Sequence, residues 1–239
     1  LATGLTAQDL ALVEVRDFVL DPPERTFAAI VANPPYIRHH RLSPETKARL
    51  REINQRIVGQ RLDGRAGLHV HFLVRALSLL SENGRLAFIV PADICEGVFA
   101  KTLWRWIAGH FRLDAVITFR PEAAPFPGVD TNALVIFIRK DRPSDRLRWA
   151  VCHAADPRDL TAWALAGLAQ APPSLAVLER DLAEALDTGL SRAPHGLGAD
   201  APRLGEYASV MRGIATGAND FFFLTRERAG RLGIPEGFL

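Results

Sequence analysis

Phe27-Ala28-Ala29-Ile30-Val31-Ala32-Asn33-Pro34-Pro35-Tyr36 is a short apolar run brought to a halt by consecutive prolines. A run of that length reads as a buried strand, because a helix would be unusually short and neither element continues through Pro34-Pro35. Asn33 to Tyr36 then sits just past the carboxyl end of a strand, where open α/β sheets take their ligands. A chain of this length contains such a four-residue string by chance with a probability on the order of 10⁻³.

The same four residues suit one kind of chemistry. The side-chain carbonyl of Asn33 and the main-chain carbonyl of Pro34 offer two acceptors, matching the two hydrogens of an exocyclic amine such as that of adenine. Accepting both favours a pyramidal nitrogen with a localised lone pair. Pro34 and Pro35 fix φ and remove competing N–H donors, so the acceptors are preorganised. Tyr36 supplies an aromatic face for an extruded base.

Outward from this segment the pattern alternates. Leu10 to Val15 reads as a strand before it. Ser43 to Val58 reads as an amphipathic helix, with Ser43 as cap, Pro44 at the first position and Leu50, Ile53 and Ile57 at helical spacing. Gly67 to Leu80 follows as a second helix, closed by Asn83-Gly84. A strand at Arg85 to Val90, a helix around Val98 to His110, and strands at Leu113 to Phe119 and Asn132 to Arg139 complete the run. The alternation predicts an α/β fold: a mostly parallel sheet with helices on both faces, its last two strands pairing antiparallel for want of an intervening helix. Beyond Pro157 an alanine- and leucine-rich stretch reads as helical, broken at Pro172-Pro173.

Composition narrows the class. At 48% hydrophobic and 23% charged the chain is globular rather than disordered. Twenty-nine basic against 27 acidic residues leave a net charge of only +2, so affinity for a polyanion must come from local patches. One such patch is Arg38 to Arg65, with eight Lys or Arg and three Asp or Glu, directly after the proline turn. Phosphate contacts and a solvated helix face explain it equally well. Cys95 and Cys152 show no CxxC spacing and read as reduced thiols. No apolar run reaches transmembrane length and no signal sequence is visible, so a cytoplasmic protein without a membrane partner is expected. Met211 is the single methionine, and the chain reads as a piece of a longer polypeptide. His39-His40 and His69-Val70-His71 lack a third ligand at suitable spacing, so no metal is expected and these read as satisfied structural histidines.

Taken together, Arg16-Asp17-Phe18, Asn33 to Tyr36, Phe72 to Val90 with Gly84-Arg85-Leu86-Ala87-Phe88-Ile89, Phe126-Pro127 and Arg212 to Asp220 resemble the amino-methylating, S-adenosylmethionine-dependent DNA methyltransferases of the Eco57I and TaqI type. The resemblance runs from about Val13 to Leu239. It implies a Rossmann-like class I methyltransferase sheet lacking its first strands, followed by the start of a target-recognition domain. It implies S-adenosylmethionine as cofactor, with Asp17 accepting from the cofactor's adenine amine, Phe18 packing on that ring and Asn33 adjoining it. For the substrate it implies double-stranded DNA, with Asn33, Pro34 and Tyr36 carrying the chemistry on a flipped adenine and Phe126 packing against that base. Pro35 and the basic Arg38 and Arg41 complete the expected substrate side. A bacterial, nucleoid-associated restriction-modification enzyme is expected, with a restriction endonuclease either fused or separate. The glycine-rich loop and ribose-binding acid of the family are not found, so these residues are expected to form an incomplete cofactor pocket.

Gly, Pro and Ala enrichment at Ser191 to Pro202 marks a linker. The expected organisation is a catalytic domain over 1–190, a linker over 191–203 and the start of a recognition domain over 204–239, with β-like pieces at Ala208 to Ile214 and Phe221 to Thr225. Two other functions share features of the sequence. Glutamine side-chain methylation in proteins uses the same Asn-Pro-Pro-Tyr string, and a non-catalytic DNA-binding piece would need no cofactor loop.

Overall fold

The computed structural model describes residues 6, 8–126, 128–129, 132–154, 156–194, 204–209, 211 and 223–238. They divide into two compact units, 1–194 and 195–239.

The first unit is built on a six-stranded sheet: β1 (Phe27–Ala32), β2 (Leu80–Pro91), β3 (Arg112–Phe119), β4 (Ala133–Arg139), β5 (Arg146–Cys152) and β6 (Leu175–Asp181), in the order β1-β2-β4-β3-β5-β6. β1 runs parallel to β2 and β3 parallel to β5, while β4 and β6 run against their neighbours. Four strands therefore share one direction. β3 and β4 pair antiparallel as the missing helix between them requires. The edges differ: β1 has Val31 81% exposed, whereas the outer strand β6 carries Glu179, ion-paired to Arg146.

Helices α1 (Pro44–Val58), α2 (Leu68–Ser78), α3 (Ala100–His110), α4 (Pro157–Leu165) and α5 (Leu182–Thr188) cover the sheet. Alternation along the strands sends Leu86, Phe88, Val90, Leu134, Ile136 and Ile138 to a core shared with α2, α3 and α5. Ala115, Ile117, Ala150 and Cys152 face the other way, onto Trp163 of α4. Helices thus lie on both faces. α1 starts as its sequence dictates: the Ser43 hydroxyl accepts from Thr46 N–H at 3.1 Å, and Gly59 closes the helix at φ 77°, a conformation that disfavours a Cβ.

Several expectations are corrected. Leu10 to Val15 is a turn followed by irregular exposed chain rather than a buried strand, with Leu12 93% and Val15 fully exposed. Its apolar residues do not alternate and have no partner strand among the described residues. α2 ends at Ser78, and Asn83-Gly84 instead form a bulge inside β2 with Asn83 at φ 61°. The α-helix expected from Val98 begins at Ala100. The stretch past Pro157 is not helical throughout, since β6 intervenes between α4 and α5, and β5 precedes them.

In the second unit the described elements are α6 (Leu204–Tyr207), α7 (Arg226–Arg231), capped by Thr225, and a 3-10 turn at Glu236–Phe238. Arg212 to Asp220, most of Ala208 to Ile214, and Phe221 and Phe222 lie outside the described residues, and the described parts of both β-like pieces carry no strand. No described helix is long and apolar enough to cross a membrane.

Candidate active site

A broad open cleft of about 1440 Å³ lies at one end of the sheet. Its walls come from the turn after β1 (Tyr36), the end of β2 (Pro91), the end of β3 (Thr118, Phe119) and the start of the opposed strand β4 (Ala133, Leu134). Every strand of common direction that contributes does so at its carboxyl end, which is where a mostly parallel sheet exposes loops instead of ladder.

Tyr36 is half-buried and fixed there. Its hydroxyl donates to the carbonyl of Ile89 at 3.0 Å, one residue beyond the Ala32–Phe88 register pair that aligns β1 with β2. Burial pushes the phenol up to about 12, so the hydroxyl remains a donor. Phe126 meets Tyr36 edge-on, ring centroids 6.4 Å apart at 80°, and His69 does the same at 6.2 Å and 79°. Arg38 also lines the cleft. Asn33 is exposed and Pro34 buried; they precede Tyr36 by three and two residues and are not among the walls. Arg41 is exposed in the 3-10 turn His39–Arg41 and likewise stands apart from the walls.

Sequence reasoning missed His69. It is only 4% exposed, yet neither ring nitrogen has a hydrogen-bond partner, and Nε2 stands 3.4 Å from the Asp93 carboxylate without alignment for a bond. The expectation of a satisfied structural histidine fails here and holds for His71, whose Nδ1 meets the Asn54 amide nitrogen at 2.9 Å. Gly67 makes room for the His69 ring, since a Cβ there would lie 2.7 Å from Cε1. The only available sequence signal was Gly67 two positions before a histidine at a helix start.

Asp17 and Phe18 lie outside the cleft walls. Oδ1 of Asp17 accepts from the N–H groups of Val19 and Leu20, and Phe18 stacks on Phe72 at 5.6 Å. Asp17 Oδ2 carries no described hydrogen bond. Next to this pair Arg75 clamps the Val19 carbonyl through two bonds, at 3.0 and 2.9 Å.

A mixed sheet with helices on both faces is also the fold of a solved restriction-modification methyltransferase subunit. That subunit, of a type I system from Streptococcus thermophilus, superposes on this chain with a TM-score of 0.53 at 15% identity, over 72% of this chain and 39% of that one. Residues 8–126 match the family model of the Eco57I restriction-modification methylases. The type II methyltransferase M.AccI of Acinetobacter calcoaceticus is 23% identical over 232 residues, which is 94% of this chain and 42% of that protein. M.XamI of Xanthomonas campestris pv. amaranthicola is 31% identical over 133 residues, 55% of this chain and 25% of that protein. The chain thus spans less than half the length of these relatives. S-adenosylmethionine is the cofactor expected of the family.

Proposed function

We propose that this chain forms part of an enzyme that methylates N6 of adenine in double-stranded DNA, taking the base out of the helix into the cleft beside Tyr36. The observation that carries the reading is the Asn33-Pro34-Pro35-Tyr36 turn at the carboxyl end of β1, with the rings of Tyr36 and Phe126 6.4 Å apart on the wall of one cleft. Similarity to type II methyltransferases supports DNA as the substrate.

In this reading Asn33 Oδ1 and the Pro34 carbonyl accept the two N6 hydrogens and localise the lone pair. Tyr36 and Phe126 contact the base, offsetting part of the cost of extruding it. Pro35 stiffens the turn, while Arg38 and Arg41 contact backbone phosphates. When bound, S-adenosylmethionine supplies an electrophilic methyl group on its sulfonium, with Asp17 and Phe18 holding its adenine. Water takes the proton that the methylated nitrogen sheds, and the thioether left by the sulfonium is the leaving group. The setting is a restriction-modification system.

The deciding experiment is mass spectrometry of nucleosides from duplex DNA incubated with S-adenosylmethionine and the full-length protein of which this chain forms part. N6-methyladenosine as the deoxynucleoside is the expected product. Its absence, or methyl transfer to a glutamine amide of a protein, would overturn the reading.

A further inference from the structure

Four arginines reach the cleft from separate stretches of chain: Arg38, Arg65, Arg120 and Arg192. They differ in what already occupies them. Arg65 is folded back on Asp63, with Nε 3.0 Å from Oδ1 and Nη2 3.1 Å from Oδ2, a two-pronged pair that uses its fork. Arg38 and Arg120 are exposed, and neither forms an ion pair with a described carboxylate. Arg120 leaves the end of β3 beside the 3-10 turn Pro121–Ala123, so it stands on the opposite side of Phe126 in the chain from the wall residues of β4.

Arg192 is intermediate. Its Nε lies 3.5 Å from Glu96 Oε1, with the two side chains 67% and 52% exposed. An exposed pair of that length is weak and readily exchanged for a better anion. The backbone that delivers Arg192 is, by contrast, firmly held. Arg180, 2% exposed, donates to the carbonyls of Gly189 at 3.1 Å and Arg192 at 2.8 Å, and is itself held by Glu184 and Thr188. A strap over 189–192 is therefore pinned while the guanidinium at its end is free to change partner.

We propose that Arg38, Arg120 and Arg192 form a three-point clamp for the phosphodiester groups of DNA flanking the nucleotide held in the cleft, with Glu96 occupying Arg192 until DNA enters. The clamp rests on the reading of the cleft as a DNA site. With Arg65 offset by Asp63, Arg38, Arg120 and Arg192 against the two acids of the walls, Asp93 and Glu96, leave the mouth net positive, the sign that a polyanion needs. Planar forks suit phosphate oxygens better than a point charge would. Phosphate contacts of this kind set register on the duplex without reading sequence.

The test is fluorescence anisotropy with a labelled duplex, comparing the wild-type protein with Arg120→Ala, Arg192→Ala and Glu96→Gln over salt from about 50 to 300 mM. Each arginine variant should reduce the slope of log affinity against log salt by about 0.9, equally for any sequence. Glu96→Gln should act in the opposite sense, tightening binding several-fold at low salt by releasing Arg192. All three side chains are exposed, so folding is not at stake, and thermal melting checks it. Unchanged slopes in both arginine variants, or weaker binding in Glu96→Gln, overturn the clamp. So does a loss confined to S-adenosylmethionine binding in calorimetry, which would assign the arginines to a cofactor carboxylate. Binding is read without methyl transfer: reduced slopes without N6 methylation leave the clamp standing and remove the proposed reaction, and methylation with unchanged slopes does the reverse.

Discussion

The hydroxyl of Tyr36 is committed to Ile89 at 3.0 Å, so its ring is oriented by a bond that has no part in holding a base. Tyr36→Phe should keep the ring and cost about 1 kcal/mol of stability from one hydrogen bond, with turnover close to wild type. Tyr36→Ala should lower turnover more on a fully paired duplex than on one whose target adenine faces a mismatch or gap, since extrusion costs less there. Equal losses on both substrates would remove Tyr36 from base binding. Asn33→Ala should reduce single-turnover methylation by about 10² to 10³ while DNA affinity persists; a change within a few-fold would withdraw the acceptor role. His71 gives a pH prediction. Desolvation, then the neighbouring His69, lowers it from 6.5 to about 4, so the folded state holds it neutral where the unfolded chain takes up a proton. The folded pKa is depressed, so its contribution is present above 6.5 and is lost as pH falls toward 4, by about 3 kcal/mol. Urea unfolding at several pH values should show this loss in the wild type and a smaller one in His71→Gln.

At the level of elements, α1 offers the simplest test: Ser43→Ala removes the bond to Thr46 N–H and should cost about 1 kcal/mol in urea unfolding without altering the cleft. This helix was legible because its start is written locally, as a cap followed by proline and apolar residues at three and four. β1 was equally legible from its apolar run and proline stop. β5 and β6 were not. β5 interleaves Arg146 and Arg148 with Leu147 and Trp149, and β6 has only Leu175 and Arg180 buried, so neither shows the continuous apolar run of an interior strand. Leu10 to Val15 shows the converse failure, since apolar composition alone does not make a strand when nothing pairs with it. Asp114 illustrates what only the assembled sheet reveals: 9% exposed, it is held by Arg112 and, through two nitrogens, by Arg139 across the β3–β4 ladder. Asp114→Ala strands two arginines and should cost about 2 kcal/mol, read as a lower urea midpoint with an unchanged slope.

At the scale of the molecule, the motif turn was readable because its residues are contiguous, whereas the cleft gathers Tyr36, Asp93, Arg120 and Arg192 from distant parts of the chain. No spacing rule links those positions, and Arg192 is delivered beyond two strands, β5 and β6, that the periodicity concealed. His69 and His71 looked alike in sequence because only their neighbours, Asp93 for one and Asn54 for the other, distinguish them. The two margins of the sheet carry a practical consequence for colloidal behaviour. β6 ends in alternating charge at Glu179, Arg180 and Asp181, which deters a second strand from adding on, while β1 is Phe-Ala-Ala-Ile-Val-Ala with Val31 81% exposed. This 239-residue chain, purified by itself, should therefore self-associate through the β1 side as concentration rises. Val31→Lys should suppress that in light scattering while leaving the melting temperature nearly unchanged, whereas the same scattering in both proteins would place the sticky surface elsewhere.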